Sequence, residues 1–438
     1  MKTKITSEWI KSGRRWAALA LAVGLAFGTQ AAEQKDFYLK DGDRVVFYGD
    51  SITEQQLYTT FVETFVVTRF PKLKVEFINS GVGGDRVTGG WAGPIDVRLP
   101  RDVLTHAPTV VTIMLAMNDA GYRPFEQALF DTYRKGYEHI LATLQAGLPA
   151  ARLTLIQTSP FDDVTSEPNF PGGYNAVLLR YNAAVAEMAQ EHGLQLVDFN
   201  APVVAALEKA KAEDPKLAKQ AIGDRVHPGE AAHLVMALAL LDGWKAPRVV
   251  TEVELDAATG RVVKADGATI TDVRAAGGLS WTEVDRALPL PLKFDDALTA
   301  LIVRAGGVMA FDQETLRVAG GSAPAYRLTI DGRAIGTFER AELEKGINLA
   351  ARGTPMTEQA AAVHELTKNH TWVHMNRWQH IQIALADSKS EAVKKALPPL
   401  LAAVDEEEAA MVAEQRAKAQ PVSRHYELIP VAAGVQHE

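Results

Sequence analysis

Four short groups of polar residues and glycines carry the residue types that nucleophilic catalysis requires. The first is Gly49-Asp50-Ser51-Ile52-Thr53, which follows an apolar run and precedes an amphipathic stretch. A serine at a strand-to-helix turn would expose its hydroxyl beside the N–H donors of the helix start. A serine hydroxyl is a weak nucleophile until a base takes its proton, so Ser51 would need a base nearby. By position alone, Ser51 is more typical of a helix N-cap.

A candidate base lies in the group Asp224-Arg225-Val226-His227-Pro228-Gly229, which precedes an apolar helical stretch. On a tight turn, a carboxylate three residues before a histidine can hydrogen-bond one ring nitrogen and fix the tautomer. The other ring nitrogen could then accept a proton from a serine. Taken alone, this group is more typical of a solvated loop followed by a helix N-cap.

The remaining two groups could supply hydrogen-bond donors to a developing negative charge. Asn79-Ser80-Gly81-Val82-Gly83-Gly84-Asp85 is rich in glycine, which lets the backbone approach a ligand and expose its N–H groups. It does not match the dinucleotide-binding pattern G-x-G-x-x-G, because the last glycine would fall on Arg86. Asn118, in Ala116-Met117-Asn118-Asp119, could donate its side-chain N–H. Each group by itself is also typical of an ordinary turn.

Short apolar runs predict the buried strands that would position these groups: Val45–Tyr48, Val75–Ile78, Val110–Leu115, Leu153–Ile156 and Leu194–Phe199. Stretches with helical spacing of apolar residues lie between several of these runs, and a last helix is predicted from Gly229 to Trp244. This alternation predicts an α/β fold with a mainly parallel sheet covered on both faces. Such sheets bind ligands at the carboxyl ends of their strands, where the four groups would meet.

In this order, the four groups resemble the sequence blocks of the GDSL/SGNH hydrolase family, over residues 43–245. The resemblance implies a three-layer α/β/α sandwich and ester hydrolysis through an acyl-serine intermediate, with no metal and no organic cofactor. It implies that Ser51 is the nucleophile, His227 the base and Asp224 the carboxylate that orients it. The implied oxyanion hole consists of the backbone N–H groups of Ser51 and Gly84 and the side chain of Asn118.

One position departs from the family pattern. The residue two before Asn118 is commonly glycine in this family and is Ala116 here, which predicts a slightly narrower pocket. The added methyl group should leave the Asn118 donor in place. Asp50, beside the nucleophile, is interpreted as a structural hydrogen-bonding residue rather than a second base.

The substrate is expected to be an O-acetyl group on a carbohydrate, because exported members of the resembling family are often polysaccharide deacetylases. The candidate substrate-binding residues have aromatic or amide side chains that suit sugar faces, and they are Trp91, Phe161, Tyr174 and Asn175. One alternative is a lipid-directed esterase, lysophospholipase or thioesterase that uses the same site. Another is a carbohydrate-binding protein that has lost activity.

The N-terminus predicts export to the periplasm or the medium. Residues 1–31 combine a basic start, a 12-residue apolar stretch from Trp16 to Phe27 and small residues near Ala31, as in a cleaved signal peptide. The apolar stretch is well short of the ~20 residues that span a bilayer. No later segment is predicted to span a membrane.

The net charge of −8 argues against a nucleic-acid partner, and the absence of cysteine excludes disulfides and thiolate metal sites.

Beyond a catalytic domain at 32–245, the pattern changes. A small, antiparallel, β-rich module is predicted at 246–340, with hairpins at Thr259-Gly260 and Asp331-Gly332. A mostly helical region is predicted at 341–438, with one helix beginning at Pro399. Its apolar helix faces and tryptophans indicate docking on the catalytic domain.

The histidines of the segment 364–380 could suggest a metal site. A zinc-protease motif needs two histidines four residues apart, whereas His364 and His370 are six apart. His370 and His374 have the required spacing but flank Trp372. Interface or surface histidines are therefore the favoured interpretation, and no metal ligand is predicted.

Overall fold

The chain is built around a parallel sheet whose strands β1 to β5 are Arg44–Gly49, Glu76–Gly81, Val110–Met114, Arg152–Gln157 and Gln195–Asp198. This computed structural model describes residues 36–292 and 296–431, so the predicted signal peptide at 1–31 lies outside the described residues. The strand order is β2-β1-β3-β4-β5, and every neighbouring pair is parallel. The mainly parallel α/β fold predicted from the sequence is confirmed.

Helices connect these strands and continue into the C-terminal half of the chain. The helices α1 to α12 are Ser51–Glu54, Leu57–Arg69, Ile95–Asp102, Gln127–Gly147, Gly173–His192, Asn200–Glu213, Pro215–Ala218, Glu230–Gly243, Ala297–Ala305, Arg340–Lys345, Pro355–Met375 and Glu391–Lys418. Short 3₁₀ turns lie at Leu104–His106, Val308–Phe311 and Leu349–Ala351, and a π-helical segment at Asn376–Ile383 continues α11. No helix within the described ranges is long and apolar enough to cross a membrane.

The order of the strands determines where a site can form. The chain leaves β1 towards β2 on one side and later adds β3 on the other side of β1. A crevice forms at the carboxyl edge of such a sheet, at the point where the connections change direction. The segments that follow β1, β2 and β3 therefore meet at one edge.

A second β-rich unit follows, with strands β6 to β14 at Val249–Asp256, Arg261–Asp266, Ala268–Arg274, Leu279–Asp285, Gln313–Ala319, Ala325–Ile330, Arg333–Glu339, Ile347–Asn348 and Ser423–Val431. One sheet has the order β8-β9-β14-β11-β12 and the other the order β13-β10-β6-β7. Trp281 and Leu328 of the first sheet share a hydrophobic core with Val253 and Leu316 of the second. The hairpins β6–β7 and β11–β12 turn at the two predicted Gly positions.

The structure differs from the sequence expectation at the boundary of this unit. Strand β14, in the region expected to be mostly helical, lies in the middle of a sheet between β9 and β11. Strands β6 and β10 are parallel, so the unit is not wholly antiparallel. The unit therefore includes residues 423–431 as well as most of 249–348, and the chain returns to it only at the end.

Helix α12 begins eight residues earlier than predicted. Ser390 caps it by accepting a hydrogen bond from the Val393 N–H at 3.4 Å, and both Pro398 and Pro399 lie inside the helix. Both prolines are exposed, so water can bind the backbone carbonyl groups that have no N–H partner. The prediction of a helix start at Pro399 was wrong, because proline at a first turn and proline on an exposed helix face give the same local pattern.

The C-terminal helices pack on helix α2 through the predicted interface histidines. The His364 ring stacks on Phe61, with centroids 4.7 Å apart, and its Nδ1 lies 2.9 Å from Thr64 Oγ1. The His370 Nε2 atom lies 2.7 Å from Glu63 Oε1, and Glu408 faces the other side of the ring at 3.6 Å. Burial acts to lower the pKa of His370, but the two carboxylates outweigh it and raise the pKa to about 10.

Replacing this buried cation should weaken the docking of the C-terminal helices. His370→Leu should lower the free energy of unfolding at pH 6 by roughly 3–5 kcal/mol, because Glu63 and Glu408 lose the cation that lies between them. The contribution of a raised histidine pKa is complete below about pH 6.5 and is lost as the pH rises towards the folded value. The difference in the free energy of unfolding between His370→Leu and the wild type, measured by urea unfolding, should therefore become smaller between pH 6.5 and 10.

The control for this measurement is His380→Leu, which removes an exposed histidine of the same segment. It should change stability little at any of these pH values. An equal loss in both variants, or a His370→Leu effect that does not depend on pH, would contradict the buried ion pair.

Candidate active site

Ser51 is the first residue of helix α1, directly after β1. Asp50 is the N-cap, and its side chain accepts a hydrogen bond from the Ile52 N–H at 3.0 Å. The serine is half-buried and lies at the positive end of this short helix. Ser51 is therefore not the N-cap of the helix, because the neighbouring Asp50 takes the capping position.

Helix α1 approaches strand β2 so closely that only glycine fits at one position of the strand. A Cβ atom on Gly81 would lie 2.2 Å from the backbone nitrogen of Glu54. Asn79, also on β2, donates from Nδ2 to the Thr53 carbonyl at 2.8 Å and holds the end of the helix against the strand. The glycine block and the serine block are therefore in direct contact.

His227 and Asp224 complete a chain of hydrogen bonds that begins at Ser51. The Ser51 Oγ and His227 Nε2 atoms are 2.8 Å apart, and His227 Nδ1 is 2.6 Å from Asp224 Oδ2. The other carboxylate oxygen, Oδ1, accepts from the backbone N–H groups of Val226 at 2.9 Å and His227 at 2.8 Å. Asp224 is therefore held at both oxygens, and His227 can accept a proton at Nε2.

This chain of side chains is open to solvent, with His227 37% and Asp224 57% exposed. Partial burial acts to raise the pKa of Asp224, but the hydrogen bonds from His227 and Val226 prevail and hold it below its usual range. The carboxylate therefore stays charged at neutral pH. A charged partner at Nδ1 favours the imidazole tautomer with its free lone pair at Nε2.

Arg225 anchors the turn between Asp224 and His227. Its φ of 73° lies in the left-handed region, which a residue with a long side chain adopts only when neighbours hold it there. Its Nη2 donates to Asp163 at 2.6 Å, and its guanidinium lies over the Phe161 ring at 4.5 Å from the centroid. The loop around residue 163 therefore fixes the turn that carries the base.

The glycine and asparagine blocks meet beside Ser51. Gly84 has a φ of 73°, which glycine adopts without the steric cost of a Cβ atom. The Asn118 side chain is buried and donates from Nδ2 to the Asp85 carbonyl at 3.1 Å. The Tyr122 hydroxyl donates to Asn118 Oδ1 at 2.9 Å. The three predicted oxyanion residues therefore lie at the adjacent strand ends of β1, β2 and β3.

A buried ion network supports the glycine block from behind. The Arg98 guanidinium donates to Asp85 Oδ2 at 2.9 and 3.0 Å and also contacts Asp102, and all three side chains are buried. The Trp378 Nε1 atom of the π-helical segment donates to Asp102 Oδ1 at 2.9 Å. Next to it, Gln379 donates to Glu54 Oε1 at 2.7 Å. The C-terminal region therefore contacts both blocks of the site.

Two buried carboxyl groups, Asp50 and Asp119, lie near the serine. Burial raises the pKa of Asp50 to about 7, and the charge of Asp119 adds to the effect. Burial likewise raises the pKa of Asp119 to about 7, although the Val87 N–H donates to it at 3.0 Å. Asp50 is occupied in capping helix α1, in line with the structural role expected from the sequence.

The candidate substrate-binding residues fall into different environments. Trp91 is 62% exposed, between the two-residue strands Gly89–Gly90 and Gly93–Pro94. Phe161 and Tyr174 are buried and pack edge to face, which leaves little of either ring to contact a substrate. Asn175 is half-buried and exchanges hydrogen bonds with the Asn200 amide.

Ala116 is also fully buried, and its φ of 158° is a conformation that glycine adopts more readily. Its methyl group is not part of the solvent-accessible surface of the site. The methyl group of Ala116 therefore does not reach the cavity directly, and the expected narrowing of the pocket is not supported by a contact.

Sequence reasoning missed a set of residues that holds the His227 turn in place. The Tyr58 N–H donates to His233 Nδ1 at 3.2 Å, so His233 carries its proton on Nε2 and donates to Gln55 Oε1 at 3.1 Å. Gln55 Nε2 in turn donates to the Pro228 carbonyl at 3.3 Å. Burial lowers the pKa of His233 to about 3 and keeps it neutral. No local pattern marks these partners, since residues 55–58 and 228–233 are far apart in the sequence.

Comparison with known proteins agrees with this geometry. Residues 47–235 match the GDSL-like Lipase/Acylhydrolase family. An acetylxylan esterase from Geobacillus stearothermophilus is 25% identical over 219 residues, which cover 46% of this chain and 93% of that protein. The solved structure of BT4096, a gut microbial diltiazem-metabolizing enzyme, is 26% identical with a TM-score of 0.79.

That structural similarity covers 90% of this chain and 100% of the other. The likeness therefore extends beyond the parallel sheet to the β-rich unit and the C-terminal helices. Within the family match lie the serine, glycine and asparagine blocks together with the Asp224–His227 turn. The chain thus carries a GDSL-like lipase/acylhydrolase domain over residues 47–235, and it is an ester-hydrolysing enzyme.

Proposed function

We propose that this enzyme removes O-acetyl groups from a carbohydrate through an acyl-serine intermediate at Ser51. The observation that carries the proposal is the solvent-open series of contacts from Ser51 to His227 at 2.8 Å and from His227 to Asp224 at 2.6 Å. A reaction centre at the surface can accept a bulky alcohol component. The small acyl group would face the oxyanion donors.

In the first half of the reaction, the Ser51 Oγ atom attacks the ester carbonyl carbon while His227 Nε2 takes the serine proton. The carbonyl oxygen becomes an oxyanion, which the N–H groups of Ser51 and Gly84 and the Asn118 Nδ2 group stabilise. The carbon–oxygen bond to the alcohol then breaks. His227 gives its proton to the leaving sugar oxygen, and the acetyl group remains on Ser51.

In the second half, a water molecule replaces the alcohol. His227 takes a proton from the water, whose oxygen attacks the acetyl-serine carbonyl and forms a second oxyanion at the same donors. Collapse of this intermediate releases acetic acid, which ionises to acetate in solution, and returns the proton from His227 to Ser51 Oγ. The Asp224 carboxylate stays charged throughout and stabilises the imidazolium at each step. Protons and charges therefore balance without any further reactant.

The carbohydrate assignment rests on the surface beside the oxyanion donors and on one relative. A Cβ atom on Gly90 would lie 3.6 Å from the Gly84 carbonyl oxygen, so the turn that carries exposed Trp91 adjoins the glycine block. A flat exposed indole can stack on a sugar ring. The acetylxylan esterase similarity supports an acetylated saccharide over a long-chain lipid.

A small-molecule ester is the second candidate substrate. BT4096, whose structure is similar over 90% of this chain, is a diltiazem-metabolizing enzyme. The same open site would accept such an ester without a polymer-binding surface. Two measurements separate the candidate activities. Acetate release from a panel of acetylated oligosaccharides reports carbohydrate-directed activity, and octanoate release from a p-nitrophenyl ester reports lipid-directed activity. Release of acetate only from small synthetic esters would favour the second candidate.

We also propose that the protein is exported, on the pattern of residues 1–31. A periplasmic or secreted enzyme would meet extracellular polysaccharide fragments directly. Fractionation of cells that produce the full chain, with N-terminal sequencing of the product, tests this. A cytoplasmic product that keeps residues 1–31 would overturn it.

The assignment of the nucleophile and base predicts a large loss of turnover in two variants. Ser51→Ala and His227→Ala should each lower kcat on p-nitrophenyl acetate by a factor on the order of 10⁴ or more. Circular dichroism should show that the fold is unchanged in both variants. Ser80→Ala is the matched serine control, because Ser80 is buried and donates to the Asp102 carbonyl. Near wild-type turnover in either site variant would exclude this mechanism.

The role of Trp91 predicts a difference between large and small substrates. Trp91→Ala should lower kcat/KM on an acetylated oligosaccharide about tenfold, as expected for a contact worth ~1.4 kcal/mol, and should lower it less on p-nitrophenyl acetate. Trp372→Ala is the control, since Trp372 is an equally exposed tryptophan on α11. Equal losses on both substrates would mean that Trp91 does not select for the sugar.

A further inference from the structure

The orientation of the Asn118 amide decides whether this side chain helps or opposes the reaction. Its Nδ2 group donates hydrogen bonds, whereas its Oδ1 atom only accepts them. If the amide turned by half a rotation, a partial negative charge would face the oxyanion and repel it. A rotation about one side-chain bond of Asn118 therefore changes a stabilising group into a destabilising one. Catalysis requires neighbouring groups that fix the torsion angle of this bond.

One contact fixes the nitrogen side of the amide. The Asp85 backbone carbonyl lies 3.1 Å from Asn118 Nδ2, and a carbonyl can only accept a hydrogen bond. This contact uses one of the two N–H bonds of Nδ2. The second N–H bond of Nδ2 can then donate to the substrate oxygen. The buried Arg98–Asp85 ion pair holds the residue that provides the carbonyl.

The other contact fixes the oxygen side. The Tyr122 hydroxyl lies 2.9 Å from Asn118 Oδ1, and since Oδ1 cannot donate, the tyrosine must be the donor. Burial is the main cause that raises the pKa of Tyr122 to about 12, so its hydroxyl keeps its proton at neutral pH. With a donor on one side and an acceptor on the other, only one orientation of the amide satisfies both partners.

Tyr122 is itself held in a conformation that its own sequence does not favour. Its φ of 56° lies in the left-handed region, which is uncommon for a bulky residue. Its ring stacks on Tyr174, with centroids 5.0 Å apart and planes 28° apart, and meets Phe161 edge to face at 6.3 Å. Tyr174 in turn donates from its hydroxyl to the Met117 carbonyl at 2.6 Å. The buried aromatic pair therefore supports the tyrosine that contacts Asn118.

We propose that Tyr122 is a positioning residue that locks the Asn118 amide with its nitrogen towards the oxyanion. The inference rests on the acyl-serine reaction proposed above and adds a residue to it. Tyr122 would act through Asn118 rather than on the substrate, although its ring is 42% exposed beside the site. It would matter most when negative charge develops, and so for kcat rather than for KM.

A double-mutant cycle tests this route of action. Tyr122→Phe removes the hydroxyl and keeps the ring, and it should lower kcat on p-nitrophenyl acetate about 3- to 10-fold, the range for one lost hydrogen bond, with KM within about twofold. Asn118→Ala should lower kcat about 10²- to 10³-fold. In the Asn118→Ala background, Tyr122→Phe should change kcat less than about twofold, because the amide oxygen to which the hydroxyl donates is gone.

Tyr133→Phe is the matched control. The Tyr133 hydroxyl is buried and donates to the Leu115 carbonyl at 3.0 Å, just after the same strand β3, without contacting Asn118. This variant should lose stability but keep the wild-type kcat in both backgrounds. A merely structural role for Tyr122 would make the two tyrosine variants behave alike.

Full kcat in Tyr122→Phe, or the same fold-loss with and without Asn118, would overturn the positioning role. Either result would leave the proposed reaction intact, provided that Ser51→Ala abolishes turnover. Loss of the proposed reaction itself would instead appear as turnover that survives Ser51→Ala. The two failures are therefore distinguishable from one set of kinetic measurements.

Discussion

The close approach of helix α1 to strands β1 and β2 is the contact on which the rest of the site depends. Gly81 leaves no room for a side chain against the Glu54 backbone, and Asn79 binds the Thr53 carbonyl, so Ser51 is placed beside the glycine block. Parallel pairing of β1 with both β2 and β3 then brings Asn118 to the same edge. Gln55, at the end of the helix, reaches the Pro228 carbonyl and links the serine to the turn of its base. A shift of this helix would therefore move Ser51, the proposed oxyanion donors and His227 relative to one another.

The C-terminal part of the chain extends this packing rather than forming a separate body. The π-helical segment provides Trp378 to the buried Asp102 carboxylate and Gln379 to Glu54, and both contacts lie directly behind the catalytic blocks. A π-helical turn after a long α-helix changes the direction of successive side chains, and such turns are frequent near functional sites. Strand β14 returns the chain to the β-rich unit and completes one of its sheets. The full-length similarity to BT4096 indicates that this arrangement is shared with another protein.

Local patterns were sufficient for the parts of the site that lie within a few residues of one another. The strand ends, the serine block and the Asp224–His227 spacing are local, and the residues concerned lie together in the structure. Patterns failed where partners are distant in sequence. The pairing of β14 with β9 spans more than a hundred residues, and Tyr122 needs support from Tyr174 to reach Asn118. Phe161 and Tyr174 were expected to contact the substrate, yet both are buried, Phe161 under the Arg225 guanidinium and Tyr174 in helix α5, which no spacing rule reveals.

The proposed reaction requires that Ser51 be activated as the nucleophile by His227. A fluorophosphonate reacts with a serine that a neighbouring base activates, so peptide mass spectrometry after labelling of the full chain locates that serine. We expect a single adduct on the peptide that contains Ser51, formed more slowly when an acetate ester is present in excess and absent after His227→Ala. An adduct at another serine, or labelling that persists unchanged without His227, would contradict it.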